Sequence, residues 1–205
     1  ITKPKKILNI GPNWIGSFSQ DIDNIYIDIN YTNFNKLVKK REEALSKEVL
    51  IANPDDFVNA SITNNDRKIK ARIRLKGDWT DHLKDPKKWS FRVKLKNDEV
   101  IYGMNKFSLH HPYTRNYIWE SVFHKLLKEK DLPYLKYKFI NLILNGDNLG
   151  TYALEQHFDK ILVESNKYKE GPIIALKEDF IWNNIAESNV KNKYLTYDEN
   201  EAYFS

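Results

Sequence analysis

Arg67-Lys68-Ile69-Lys70-Ala71-Arg72-Ile73-Arg74-Leu75-Lys76 alternates cationic with apolar side chains, and Trp89-Ser90-Phe91-Arg92-Val93-Lys94-Leu95-Lys96 repeats the pattern. Strict alternation marks a β-strand, where successive side chains point to opposite faces. Ile69, Ala71, Ile73 and Leu75 therefore share one face, and Lys70, Arg72, Arg74 and Lys76 share the other. Trp89, Phe91, Val93 and Leu95 likewise oppose Ser90, Arg92, Lys94 and Lys96. Paired side by side, the two strands make a plate of cations over an apolar underside. Like charges opposite one another repel, so such a plate calls for an anion or a carboxylate partner.

The charge is local. Residues 67–96 hold twelve Lys/Arg against three Asp, a net +9, whereas the whole chain carries +5 and the remainder therefore −4. A concentrated patch suits a compact anion such as a nucleotide phosphate better than a bulk polyelectrolyte. The competing reading is a solvated Lys/Arg face on a sheet with one wet side. Nucleic acid fits poorly, because Trp89 and Phe91 oppose the cations and bases cannot stack beside the phosphate contacts.

Outward from this stretch, 205 residues that are 41% hydrophobic suffice for one large domain or two small lobes. No apolar run approaches the ~20 residues of a membrane-crossing helix. Without cysteine, neither disulfides nor thiolate metal sites hold the fold. The start at Ile1 and the stop at Ser205 read as the ends of a fragment. Oligomeric state is not legible.

Asn24–Ile29, Phe57–Ile62, Lys68–Lys76, Trp89–Lys96, Val100–Ile101 and Lys106–Leu109 read as strands, with a turn at Asn64-Asn65-Asp66. Tyr137–Leu144 and Tyr152–Glu155 form a hairpin around Asn145-Gly146, and Pro172–Leu176 reads as a further strand. Helical patterns cover Asn33–Ser46, Arg115–Lys130 and Phe158–Asn166. In the second, Ile118, Trp119, Val122, Phe123, Leu126 and Leu127 make one apolar stripe, Arg115 falls on the same side, and Glu120 at its edge. The expected fold class is α+β: an antiparallel sheet with one long helix packed on it.

Several of these pieces resemble the CotH kinase family, founded on bacterial spore-coat proteins. They are Arg72-Ile73-Arg74-Leu75-Lys76-Gly77-Asp78-Trp79, Lys88-Trp89-Ser90-Phe91-Arg92-Val93-Lys94, Gly103-Met104-Asn105-Lys106-Phe107-Ser108-Leu109-His110, Thr114-Arg115-Asn116-Tyr117-Ile118-Trp119-Glu120, Leu142–Gly146, Gly150–Glu155 and Gly171–Ile174. The resemblance implies an atypical protein kinase with a kinase-like N-terminal lobe at residues 24–178, preceded by an extension at 1–23 and followed at 179–205 by the start of a truncated C-terminal part. It implies ATP and Mg²⁺, a protein acceptor with Ser/Thr hydroxyls, and a spore-coat or cell-envelope setting.

In kinases a strand lysine holds the nucleotide phosphates and a glutamate orients it. The resemblance assigns Lys88 to the phosphates, with Lys76 and Lys94 as competitors, and Glu120 to its orientation. Arg74, Arg92, Lys94 and Arg115 are the cationic neighbours. Ala153, Leu154, Glu155 and Gln156, with His157, form the hinge at adenine, where Glu155 alternatively braces the hinge itself. The family's paired aspartates for Mg²⁺ have no counterpart in 179–205, so those ligands are expected beyond Ser205. A non-catalytic anion-binding or scaffold module is the alternative. His110-His111 lies on an extended segment whose neighbours diverge, which disfavours a shared metal. Asp81-His82 is a base-and-orienter pair with no serine placed to complete a triad.

Overall fold

The computed structural model describes residues 22–169, 171–174 and 178–192. The described residues hold seven strands: β1 (Asn24–Asp28), β2 (Val58–Asn64), β3 (Arg67–Leu75), β4 (Phe91–Leu95), β5 (Lys106–His110), β6 (Tyr137–Leu144) and β7 (Asp147–Gln156). They close into a barrel in the order β1-β2-β3-β4-β5-β7-β6. All neighbours are antiparallel except at the seam, where β1 runs parallel to β6 from Asn24↔Asn141 to Ile27↔Leu144.

That seam corrects the expected α+β layout of an open antiparallel sheet under one long helix on the pattern of a kinase N-terminal lobe. The two strands are read correctly as strands, but their pairing joins segments more than a hundred residues apart, and no local period encodes it. Closure consumes both sheet edges.

The alternation in 67–76 and 91–95 does what the pleat requires. Ile69, Ala71, Ile73, Leu75, Phe91 and Val93 are buried in the core, together with Ile25, Ile62, Phe107, Leu109, Leu142 and Tyr152 from the other strands. A seven-stranded barrel is narrow enough for side chains to fill it. Two hairpins turn through residues with positive φ: Asn65 and Asp66 (48° and 60°), and Asn145 and Gly146 (51° and 90°). This conformation matches the twist of the flanking strands.

Among the described residues, four helices lie outside: α1 (Tyr31–Lys47), α2 (Trp119–Glu129), α3 (Lys160–Ser165) and α4 (Asp179–Asn192). Asn30 caps α1 by accepting from the Asn33 N–H, and Leu37 and Ala44 join the barrel core. Phe34 of α1 stacks on Trp89 at 5.7 Å, and the Arg41 guanidinium lies over the same ring at 5.1 Å. Against α4, Val49 packs on Ile185 and Ala186. A helix at this place was not apparent from the sequence. Residues 171–174 are irregular rather than a strand, and 175–176 lie outside the described residues.

α2 begins later than its periodicity predicts, because Pro112–Arg115 forms a separate short 3-10 turn. Its orientation also departs from expectation. His124 is its buried residue, while Trp119, Phe123 and Leu126 are more than half exposed. The polar Glu120/His124 side faces the barrel, with His124 stacked on Tyr137 at 6.1 Å and accepting from the Leu135 N–H at 3.2 Å.

Candidate functional site

The strand registers place the outward side chains in rows. One row runs Arg74–Arg92–Ser108–Glu155–Tyr137 across β3, β4, β5, β7 and β6. Lys76 follows Arg74 two residues on, just past the end of β3, and its backbone N–H donates to Ser90 O at 2.9 Å. These positions share one face because each strand keeps its two-residue period.

Lys76 Nζ donates to Glu155 Oε2 at 2.8 Å, with both side chains largely buried, 12% and 16% exposed. His110 Nδ1 stands 3.6 Å from the same carboxylate oxygen. Burial alone would raise the Glu155 pKa, but Lys76 above all, with Arg115 behind it, outweighs burial and holds the group below its ordinary value. His110 is pushed down to about 3, by burial first and by Lys76 second, so it is neutral. The pair is thus a buried ammonium–carboxylate contact with a neutral imidazole alongside, geometry that fixes the lysine in one place.

Lys76 opens onto a cleft of about 650 Å³. Arg74, Arg92 and Arg115 line it with Lys76, and Trp79, Trp182, Leu50 and Ile51 supply its apolar side. Trp79 meets Trp182 edge-on at 5.1 Å. The floor turns at Gly77, where φ is +112° and an added Cβ would lie 2.5 Å from the His82 ring. His82 is anchored by Ser90, Nδ1 to Oγ 2.8 Å, and burial pushes its pKa down to about 4.

The cations tolerate one another through neutral partners. Arg72, Arg74 and Lys94 all rest on the Phe57 ring, at 5.4, 5.3 and 4.5 Å. Ring faces attract cations without neutralising them. Arg92 donates to His157 Nδ1 at 2.7 Å. Burial and then Arg92 push His157 down to about 4, as an acceptor nitrogen requires.

Of the residues expected from sequence, Arg74, Lys76, Arg92, Arg115 and Glu155 come together here. Lys94 lies one row further out and is absent from the cleft lining. Lys88 is elsewhere: its Nζ lies 5.9 Å from the Tyr152 ring centroid, and it lines a separate, largely apolar hollow with His111, Pro112, Tyr117, Ile118, Phe139 and Thr151. Glu120 meets Arg115 at 4.0 Å and His124 at 3.5 Å, and no ion pair joins it to Lys88 among the described residues. Arg115 is 40% exposed at the cleft rather than enclosed beneath the helix.

Ala153, Leu154, Glu155 and Gln156 sit inside β7, paired with β5 on one side and, through residue 155, with β6 on the other. Their backbone groups are engaged in sheet ladders, unlike those of a free hinge. Phe57 and the His82–Ser90 pair carry no site signal in the sequence, and His157, expected at the hinge, is instead the partner of Arg92. Phe57 gains meaning only through register, and the sequence pairs His82 with its neighbour Asp81 rather than with Ser90.

Among the described residues, no three His, Asp or Glu gather to hold a metal ion. The carboxylates lining the cleft are Asp78 and Asp81, and burial raises the Asp78 pKa, with Glu178 adding to the shift. These two carboxylates are the groups of the cleft that would face a magnesium ion held mainly by nucleotide phosphates. No helix is long and apolar enough to cross a membrane among the described residues.

No curated protein matches the chain. A family model described as CotH kinase protein matches residues 73–204, which span the cleft-forming strands β4 to β7, the Lys76 turn, and α4, and the chain therefore belongs to the CotH kinase family.

Proposed function

We propose that the cleft receives the triphosphate of ATP and that the protein passes its γ-phosphoryl to Ser/Thr hydroxyls of a protein acceptor. The carrying observation is the convergence of Arg74, Lys76, Arg92 and Arg115 on one cleft, with Lys76 locked by Glu155. Phosphoryl transfer asks of a protein mainly positioning and charge stabilisation. Lys76 takes the role of the phosphate lysine and Glu155 that of its orienting carboxylate. The pairing is a kinase device, built here between the turn that follows β3 and strand β7. Arg74 and Arg92 offset phosphate charge, and Arg115 closes the mouth. The Trp79/Trp182 side offers aromatic surface for the base, in place of the β7 backbone. The acceptor oxygen bonds to the γ-phosphorus, the bond to the β–γ bridging oxygen breaks, ADP leaves, and the hydroxyl proton is released.

Calorimetric titration of a non-hydrolysable ATP analogue into wild type, Lys76→Met and Lys88→Met tests this. At least a tenfold loss is expected for Lys76→Met and none for Lys88→Met. Arg92→Gln serves as a second variant, with a loss also expected. Equal affinity in Lys76→Met and Arg92→Gln would refute the cleft, and loss confined to Lys88→Met would move the role to Lys88. Analogue binding with no phosphate transfer to any protein acceptor would leave the anion-binding module.

A further inference from the structure

Beyond the cleft the cations continue. The next row outward is Asn59–Arg72–Lys94–Lys106, across β2 to β5. Lys70 and Lys96 follow, joined where the Lys96 N–H donates to Lys70 O at 2.9 Å. β3 treats its cations unequally. At its hairpin end, Arg67 pairs with Glu99 and Lys68 with Asp28. Further along, Lys70, Arg72, Lys94, Lys96 and Lys106 have no carboxylate within 4.0 Å among the described residues; Lys96 has the Asn59 side-chain oxygen at 2.9 Å.

The crowding adds to the cost of burial. The Lys94 ammonium is pulled below its ordinary pKa by burial, and then by Lys106, Arg74, Arg72 and Arg92. Arg72, Arg74 and Lys94 are thus held together over the one Phe57 ring. An anion laid across the row relieves that repulsion.

Which anion is decided by spacing and by what is missing. Lys70, Arg72 and Arg74 sit at alternate positions on one strand face, about 6.8 Å apart. An extended polypeptide repeats its own same-face side chains at that interval. A compact anion spans a single row, while these cations extend over two. Single-stranded nucleic acid requires rings free to stack, and Phe57 is already covered by three cations.

We propose that the Lys70–Arg72–Lys94–Lys96–Lys106 surface binds an extended acidic segment, with Asp or Glu at alternate positions, of the protein acceptor. This rests on the kinase reading for the word acceptor alone. The surface is continuous with the cleft through Arg72–Arg74 and Lys94–Arg92, so a bound segment leads toward the phosphate site.

The test is fluorescence anisotropy of a labelled ten-residue peptide alternating Glu with Ser, against its Gln/Ser counterpart and a single-stranded oligonucleotide of equal charge. The proteins are wild type and the triple variant Lys70→Gln, Arg72→Gln, Lys106→Gln. The expected result is binding of the Glu peptide at least tenfold tighter than of either comparator, at least a tenfold loss in the triple variant, and affinity falling steeply with salt. The ATP analogue should bind wild type and triple variant within twofold. Equal binding of Glu and Gln peptides, no loss in the variant, or preference for the oligonucleotide would overturn the proposal. Glu-peptide binding without analogue binding would keep the surface and refute the kinase reading; the reverse result would refute the surface alone.

Discussion

Lys76 Nζ lies 2.8 Å from Glu155 Oε2, a contact between residues 79 positions apart that ties the end of β3 to β7 across β4 and β5. Breaking a buried pair by removing one partner leaves an uncompensated charge, at about 3–5 kcal/mol. Glu155→Leu and Lys76→Met should each destabilise the domain on that scale, and Lys76→Met/Glu155→Leu together by less than either alone. Urea titrations of the four proteins measure the coupling. Strictly additive losses would mean the two groups do not sense each other.

Gly77 carries φ +112°, and the His82 ring occupies the space of any Cβ. Gly77→Ala should cost about 2–3 kcal/mol or more, from backbone strain combined with the clash. The loss appears as a lowered thermal midpoint, and a midpoint unchanged within error would contradict the backbone described here.

Three histidines are held neutral by their surroundings: buried His110 with a pKa near 3, and buried His82 and half-buried His157 near 4. Their unfolded value is about 6.5. Between these values the unfolded chain binds more protons, so stability is full above pH 6.5 and falls as pH drops toward 4. Thermal melts from pH 7 to 4 should show the decline. His157→Gln retains an acceptor for Arg92 but cannot titrate, so its melting curve should depend less on pH than that of wild type.

Phe123 is 55% exposed and Phe91 is fully buried. Phe123→Ser should change stability by no more than about 0.5 kcal/mol. Phe91→Ala should cost about 3–5 kcal/mol. Denaturant midpoints separate the two, and a large loss at Phe123 would show that α2 buries its apolar stripe after all.

That last contrast shows where the sequence is readable. The strands follow from two-residue alternation and from Asn145-Gly146, both local signals, and six of the seven strands lie close to their expected bounds, with β7 starting earlier than expected. α2 is different: its stripe of Ile118, Trp119, Phe123 and Leu126 reads as a core face, yet Glu120 and His124 turn inward because Arg115 and Tyr137 offer them partners. Site residues followed the same division. Arg74, Lys76 and Arg92 share a face by period alone. Choosing Lys76 over Lys88 depends on Glu155, whose place beside it is set by the registers of β4, β5 and β7. Barrel closure is likewise invisible locally, since it lies in the meeting of β1 with β6.

The parallel β1–β6 seam has a consequence for biogenesis. Contacts this distant in sequence form late and slowly. As synthesis proceeds, β1 to β5 emerge as a ribbon whose two margins are bare, open to addition of foreign strands. The Tyr137–Gln156 hairpin is the keystone, since β6 meets β1 and β7 meets β5: until both strands have left the ribosome the margins stay open, and their arrival seals the cylinder.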